Sequence, residues 1–194
     1  MLTIRNLLLF CIVFTCINCT GPKSDTVISS SVLKDSKLAA IDSHGLSRAY
    51  VTIKTAYGNI IFKFYPNEAP HTSQRIAELI SQSFYDNLTL HRVEKNFVIQ
   101  GGDPTGTGSG GSGQKLKAEF NTRPHIRGTI AMARASDPDS ADSQFYIALS
   151  TLSHLDGQYT VFGQVTEGLE FLDKIVKDDK ILSVKAPLEI EDSE

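Results

Sequence analysis

From residue 50 onward the apolar positions fall mostly into short runs at period two, separated by turn residues, and two stretches keep a helical period instead. In 50–55, Val51 and Ile53 stand between polar neighbours, the pattern of a half-buried strand. Tyr57-Gly58-Asn59 turns the chain into a second run, Ile60 to Tyr65, predicting a β-hairpin with a Gly-Asn turn that Pro66 brings to an end. After Ala69-Pro70-His71, the spacing of Ile76, Leu79 and Ile80 predicts a helix to Ser81, with Thr72 or Ser73 as its N-cap. Strands are predicted over 88–93, 97–100, 128–133, 143–149 and 160–165. Between them, 104–113 is a Gly/Ser loop too flexible for regular structure. A second helix is predicted over 168–176, with Leu169, Leu172, Ile175 and Val176 on one side. A last strand over 181–190 tolerates Pro187 only at a sheet edge or a bulge.

Two helices far apart among many short strands do not make the regular alternation of a doubly wound parallel sheet. The pattern predicts a closed antiparallel barrel with a helix over each open end, since closure removes the sheet edges.

Residues ahead of 49 read differently. Arg5 precedes the apolar run Leu7 to Phe14, the arrangement of a secretory signal. The run is shorter than the roughly 20 apolar residues a membrane-spanning helix needs. Thr15-Cys16-Ile17-Asn18-Cys19-Thr20-Gly21 resembles the end of a bacterial lipoprotein signal, with Cys19 as the lipidated residue and Cys16 as the competing choice. The expectation is a signal peptide over 1–18, a tether over 19–48 rich in Ser, Asp, Lys and Gly, and one domain over 49–194. The tether carries one transient helix at 32–41 and a solvated His44. An acyl chain on Cys19 would hold the domain to a membrane surface without a protein span. Plain secretion is the alternative. The expected location is across the inner membrane, in the cell envelope, at the periplasmic or outer surface.

The net charge of -3 argues against a nucleic-acid binder, which shows a basic face. The three cysteines are Cys11, Cys16 and Cys19, so the predicted domain has no disulfide, thiolate nucleophile or zinc-cysteine site. His71, His91, His125 and His154 are dispersed, which argues against a metal site. Gly106 to Gly111 matches the glycine spacing of a dinucleotide loop, but no helix opens after it. Gly108 to Lys115 nearly imitates a phosphate loop, but Gln114 breaks the Gly-Lys pair. Ser143 lacks the glycines of a nucleophile elbow. The segment 104–113 reads as a mobile surface loop.

The richest stretch is Leu90 to Asp103. Leu90, Arg92, Phe97, Val98 and Gln100 are expected to share one concave face, with a guanidinium beside an apolar pocket. His91 is expected on the opposite face as a hydrogen-bonded structural residue. A substrate that is apolar on one side and carries an amide on the other suits the concave face. Proline with its preceding peptide bond is one.

Leu90-His91-Arg92-Val93, Phe97 to Asp103, Gly128 to Ala133, Ser143 to Ile147, Leu155-Asp156-Gly157 and Val161-Phe162-Gly163 resemble the cyclophilins, peptidyl-prolyl cis-trans isomerases, in order and spacing. The resemblance covers about 49–190, and Met132 to Ala135 with Asp137 to Ser143 is similar to the bacterial branch. It implies an eight-stranded closed barrel capped by two helices. It also implies that Arg92 is the catalytic arginine and that Phe97, Val98, Tyr146 and Leu155 form the proline pocket. By the same resemblance, Gln100 and Gln144 orient the arginine and the substrate backbone. Ala133, Arg134 and Ala135 line the peptide groove, Arg134 through its backbone. Tyr159 takes a position usually held by His or Tyr. Val98 replaces a residue that is often Met. His154 stands where many eukaryotic relatives have a Trp that helps bind cyclosporin, so weak cyclosporin binding is expected.

The chemistry needs no cofactor. The X-Pro bond exchanges isomers in tens to hundreds of seconds, against a barrier of about 18–20 kcal/mol from amide conjugation. A guanidinium that donates to the prolyl nitrogen as conjugation is lost stabilises the twisted state more than either planar one. Arginine remains charged and presents a fixed fork of donors. The expected partners are proline-containing polypeptides in the folding of extracytoplasmic proteins, met by a monomer. The alternative is a surface module or chaperone that holds proline segments, with catalysis incidental.

Overall fold

The computed structural model describes residues 43–186. The signal peptide, Cys16 and Cys19, the tether as far as residue 42 with its expected helix, and Pro187 with the rest of the last strand lie outside the described residues. The elements are α1 (Ser43–Arg48), β1 (Tyr50–Lys54), β2 (Asn59–Phe64), α2 (Pro70–Ser81), β3 (Arg92–Val93), β4 (Val98–Gly101), β5 (Thr129–Met132), β6 (Phe145–Ala148), β7 (Val161–Glu167), α3 (Leu169–Leu172) and β8 (Ser183–Lys185).

All eight strands join one antiparallel sheet in the order β3-β4-β6-β5-β7-β2-β1-β8. The expected closed barrel is corrected to an open half-barrel with β3 and β8 as its edges. Those two strands are two and three residues long, too short to carry a ladder between them. The chain just ahead of each edge strand makes the link. Asn87 N donates to Ile181 O (2.7 Å), Ile181 N to Leu88 O (2.9 Å) and Leu90 N to Asp179 O (2.7 Å). Edge backbone that would otherwise invite another chain is thereby occupied.

The main core fills the concave side. β1 contributes Val51 and Ile53, β2 Ile60, Phe62 and Phe64, and the middle strands Ile99, Ile130, Met132, Phe145, Ile147 and Phe162. α2 closes it with Ile76, Leu79 and Ile80, as its apolar period predicts. Its start differs from expectation. The helix begins at Pro70, and the Glu119 carboxylate caps it by accepting from His71 N (3.0 Å) and Thr72 N (2.9 Å). Proline is suited to the first turn, and a carboxylate there complements the helix dipole.

The second expected helix is reduced to the single turn of α3. Leu172 and Ile175 are buried, but Val176 is 55% exposed, because the chain turns where Val176 N donates to Asp179 Oδ2 (2.8 Å). The cap of two helices is therefore one three-turn helix and one turn. The expected tether to residue 48 ends instead in α1, whose Leu46 is buried in the main core beside α2 and β2. Ser and Gly around a lone leucine read locally as linker, and only the tertiary fold supplies Leu46 with a place to pack.

Candidate active site

β4, β6, β5 and β7 send alternate residues to opposite faces. While Ile99, Ile147, Ile130 and Phe162 enter the main core, Val98, Tyr146, Ala148, Ala131 and Val161 form a second cluster on the convex face with Leu152. Phe97, Ala133, Leu155 and Tyr159 pack on it half-buried. The cluster has a buried floor of Val98 and Tyr146 and partly open walls.

Arg92 sits at its rim. It pairs with Gln100 across β3 and β4, and Gln100 pairs with Tyr146 across β4 and β6. Residues opposite one another in a ladder share a face, so guanidinium, amide and aromatic ring stand in a row. Arg92 Nη1 donates to Gln100 Oε1 (3.2 Å), and Gln100 Nε2 donates to Gln144 Oε1 (2.9 Å). Gln144 Nε2 donates in turn to Gly108 O (3.0 Å) and Gly110 O (2.8 Å). The Arg92 guanidinium also lies 5.4 Å from the Phe97 ring centre and donates from Nε to Glu94 Oε1 (2.8 Å). A cation oriented by neutral amides beside an apolar floor can meet an amide whose ring is held in that floor.

The glycine loop is the far anchor of this row. The Asp103 carboxylate, buried beneath it, accepts from Thr105 N (2.7 Å), Thr105 Oγ1 (2.8 Å) and Gly108 N (2.6 Å). Burial alone would raise its pKa, but these donors together, with Gly110 N, hold it well below the usual carboxylate range. Asp142 accepts from Ser112 N (2.6 Å) and Gly113 N (3.0 Å). The loop expected to be mobile has no regular secondary structure but is held at both ends by buried or half-buried acceptors. Gly102 has φ 90°, and a Cβ there would collide with Ser143 O, so the turn out of β4 requires glycine. Ser143 Oγ, set aside as a nucleophile, donates to Gly102 O (2.7 Å) from a buried position.

A model of the cyclophilin type peptidyl-prolyl cis-trans isomerase/CLD family matches residues 50–193. The chain belongs to the cyclophilin-type peptidyl-prolyl cis-trans isomerases. It is 46% identical over 140 residues to a peptidyl-prolyl cis-trans isomerase of Helicobacter pylori (strain ATCC 700392 / 26695), covering 70% of this chain and 85% of that protein. It is 43% identical over 141 residues to peptidyl-prolyl cis-trans isomerase B of Bacillus subtilis (strain 168), covering 69% of this chain and 98% of that one. A crystal structure of a Cryptosporidium parvum cyclophilin-type isomerase aligns with a TM-score of 0.67 at 31% identity, over 71% of this chain and 96% of that chain. A second structure of that protein, in the presence of the dipeptide Ala-Pro, aligns with a TM-score of 0.62 at 33% identity, over 70% and 93%. The protein is accordingly an isomerase of the cyclophilin type.

Within this cyclophilin, the structure brings Arg92, Phe97, Val98, Gln100, Gln144, Tyr146, Leu155 and Tyr159 to one face, which is the convex one and not the concave one expected, because the concave side is filled by the main core. Leu90 does not join them. It is buried in the main core, because β3 begins only at Arg92 and the alternation does not extend back to it. Ala133 borders the cluster, and its N–H bonds Gln144 O (2.9 Å). Ala135 N donates to Ser140 Oγ (2.9 Å). The Arg134 side chain turns along the rim, donating to Gln158 O (3.1 Å) and Ala135 O (2.9 Å) 4.7 Å from the Tyr159 ring. His91 is buried, but the hydrogen-bonded role expected for it is corrected, since neither ring nitrogen has a hydrogen-bond partner, and burial lowers its pKa. His154 stacks on Phe97, centroids 6.2 Å apart.

Sequence reasoning missed Glu94, which the two-residue offset from Arg92 could have placed on the same strand face. It also missed the role of the glycine loop as an acceptor for Gln144, and the hydrogen bonds that join His125 to Tyr146 and Asp156. Only the first had a local signal.

Proposed function

We propose that Arg92 is the catalytic residue of this isomerase and that the floor of Val98 and Tyr146, walled by Phe97 and Leu155, receives the proline ring. The observation that carries the reading is the row from Gly108 and Gly110 through Gln144 and Gln100 to Arg92. It aims a permanent cation at the mouth of an apolar pocket. As the X-Pro amide twists, its nitrogen gains lone-pair character and accepts from the guanidinium, lowering the barrier without a covalent intermediate. Gln100 and Gln144 limit the arginine's rotamers in advance, so less orientation is lost at the transition state. The Ala-Pro dipeptide used with the Cryptosporidium relative supports proline-containing peptides as the ligand class.

The N-terminal sequence supports a place for this activity outside the cytoplasm. Arg5, the Leu7–Phe14 run and Cys19 are the parts of a lipoprotein signal, so the enzyme acts on exported polypeptides from a lipid anchor at the cell envelope. Mass spectrometry of the mature protein tests this, with an acylated N-terminal Cys19 expected. An intact signal would contradict it. The enzymatic role is tested in refolding whose slow phase is X-Pro isomerisation. Wild type accelerates that phase and Arg92→Ala does not. Equal acceleration by both would leave a proline-binding module as the better reading.

A further inference from the structure

Tyr146 contributes more than a ring to the convex cluster. Its hydroxyl meets His125 Nε2 at 2.9 Å. His125, wholly buried, meets Asp156 Oδ1 through Nδ1 at 2.9 Å, and its own N–H donates to the same oxygen at 2.7 Å. The His125 carbonyl accepts from Leu152 N (2.8 Å). Asp156 belongs to the loop that carries Leu155 and, three residues on, Tyr159. Tyr159 packs edge-on to the Tyr146 ring at 5.7 Å and to His125 at 6.4 Å. His125 thus joins the floor strand β6 to the loop that supplies two of the pocket's walls.

The network assigns the protons. The bond from His125 N–H and then that from the ring hold the Asp156 carboxyl below its ordinary range, so it is an ionised acceptor. Nδ1 therefore carries the ring proton, and in the neutral imidazole Nε2 accepts from the Tyr146 hydroxyl. Burial raises the Tyr146 pKa, keeping that hydroxyl a donor. A pocket floor needs only an apolar ring, and phenylalanine would provide one. The hydroxyl adds a directional bond that fixes where the outer end of the ring sits and its distance from the 152–159 loop.

We infer that His125 and Asp156 are positioning residues of the proline pocket, holding Tyr146 and the Leu155–Tyr159 loop at the separation that accepts the ring. This rests on the assignment of that pocket above. Neither residue touches the substrate. Asp156 is the better probe, because its carboxylate is partly exposed and its loss leaves no cavity in the main core.

The test is a kcat and KM comparison on an X-Pro peptide for wild type, Asp156→Ala and Asp156→Asn, with Ala-Pro titrated by NMR as a binding readout. Asparagine keeps an acceptor oxygen for both His125 donors, and alanine keeps none. Asp156→Ala should raise KM and the Ala-Pro Kd about fivefold with kcat within twofold, and Asp156→Asn should restore both to within twofold of wild type. A purely structural role would lower the folded fraction, reducing kcat with KM unchanged. That result, wild-type KM in Asp156→Ala, or an asparagine variant as impaired as alanine would each overturn the proposal. Arg92→Ala, assayed alongside, separates the two readings. If it retains full activity the pocket assignment itself has failed, whereas a failure confined to the Asp156 variants removes the brace alone.

Discussion

The concave and convex faces of strands β4 to β7 are made by neighbouring residues of the same strands, yet they are built for different ends. Inward, Ile99, Ile130, Ile147 and Phe162 are buried in the main core that α2 closes. Outward, Val98, Tyr146, Ala131 and Val161 have no α-helix over them among the described residues, and their borders are polar: Arg92, Gln100, Gln144, and the His125–Asp156 pair. One face satisfies itself. The other leaves an apolar floor and an oriented cation facing outward, and that surplus is the proposed site. A period-two strand lets one backbone serve both, so substitutions one residue apart should separate stability from activity.

The strongest separation is expected inward. Phe162→Ala removes a fully buried ring and should cost about 3–5 kcal/mol in urea unfolding, while the molecules that remain folded keep their KM. A KM change of the same order would break the distinction. Gln100→Leu is the outward counterpart. It removes the acceptor that orients Arg92, and a hydrogen bond to a charged group is worth about 1.5–3 kcal/mol. The expected loss in kcat/KM is on the order of tenfold or more, with little change in unfolding free energy.

Asp103 lies under the loop that anchors the outward row, and its effect depends on pH. Its folded pKa is depressed, so its stabilisation is fully present above the unfolded carboxylate value near 4 and is lost as pH falls below that toward the folded pKa. Asp103→Asn should therefore destabilise by roughly 1–3 kcal/mol at neutral pH and give a flatter acid limb than wild type. An unchanged acid limb in thermal melts would count against the loop as an anchor. The smallest effect is expected at His154→Ala, which removes one stacked ring from Phe97. An aromatic pair contributes about 0.5–1.5 kcal/mol, so KM should rise severalfold at most.

How much of this was legible before the fold follows from how far each feature reaches along the chain. The hairpin of β1 and β2 is legible, though its loop is 55–58 with Asn59 already in β2, and so are the strands around Arg92, Met132, Tyr146 and Phe162, because alternation is local. So is the face of α2 carrying Ile76 and Ile80. The start of α2 is not legible locally because its cap, Glu119, lies 47 residues from Thr72. Strand count points to a closed barrel because it does not reveal that the edge strands are too short to pair. The anchoring of the glycine loop is not legible because the carboxylates of Asp103 and Asp142 that hold it are not distinguishable in sequence from solvated ones. The His125–Asp156 link spans 31 residues and has no periodic signature.

The central claim is that Arg92 belongs to the site and not to the fold. Its direct test is NMR exchange spectroscopy of an X-Pro peptide with wild type, Arg92→Lys and Arg92→Ala, paired with thermal melts of each. Arg92 is exposed and outside both apolar clusters, so all three should melt within about 2 °C of one another. Catalysed exchange should fall on the order of 100-fold or more in Arg92→Ala and remain well below wild type in Arg92→Lys, which keeps the charge but loses the planar fork. Exchange at the wild-type rate in Arg92→Ala, with the fold intact, would contradict the account.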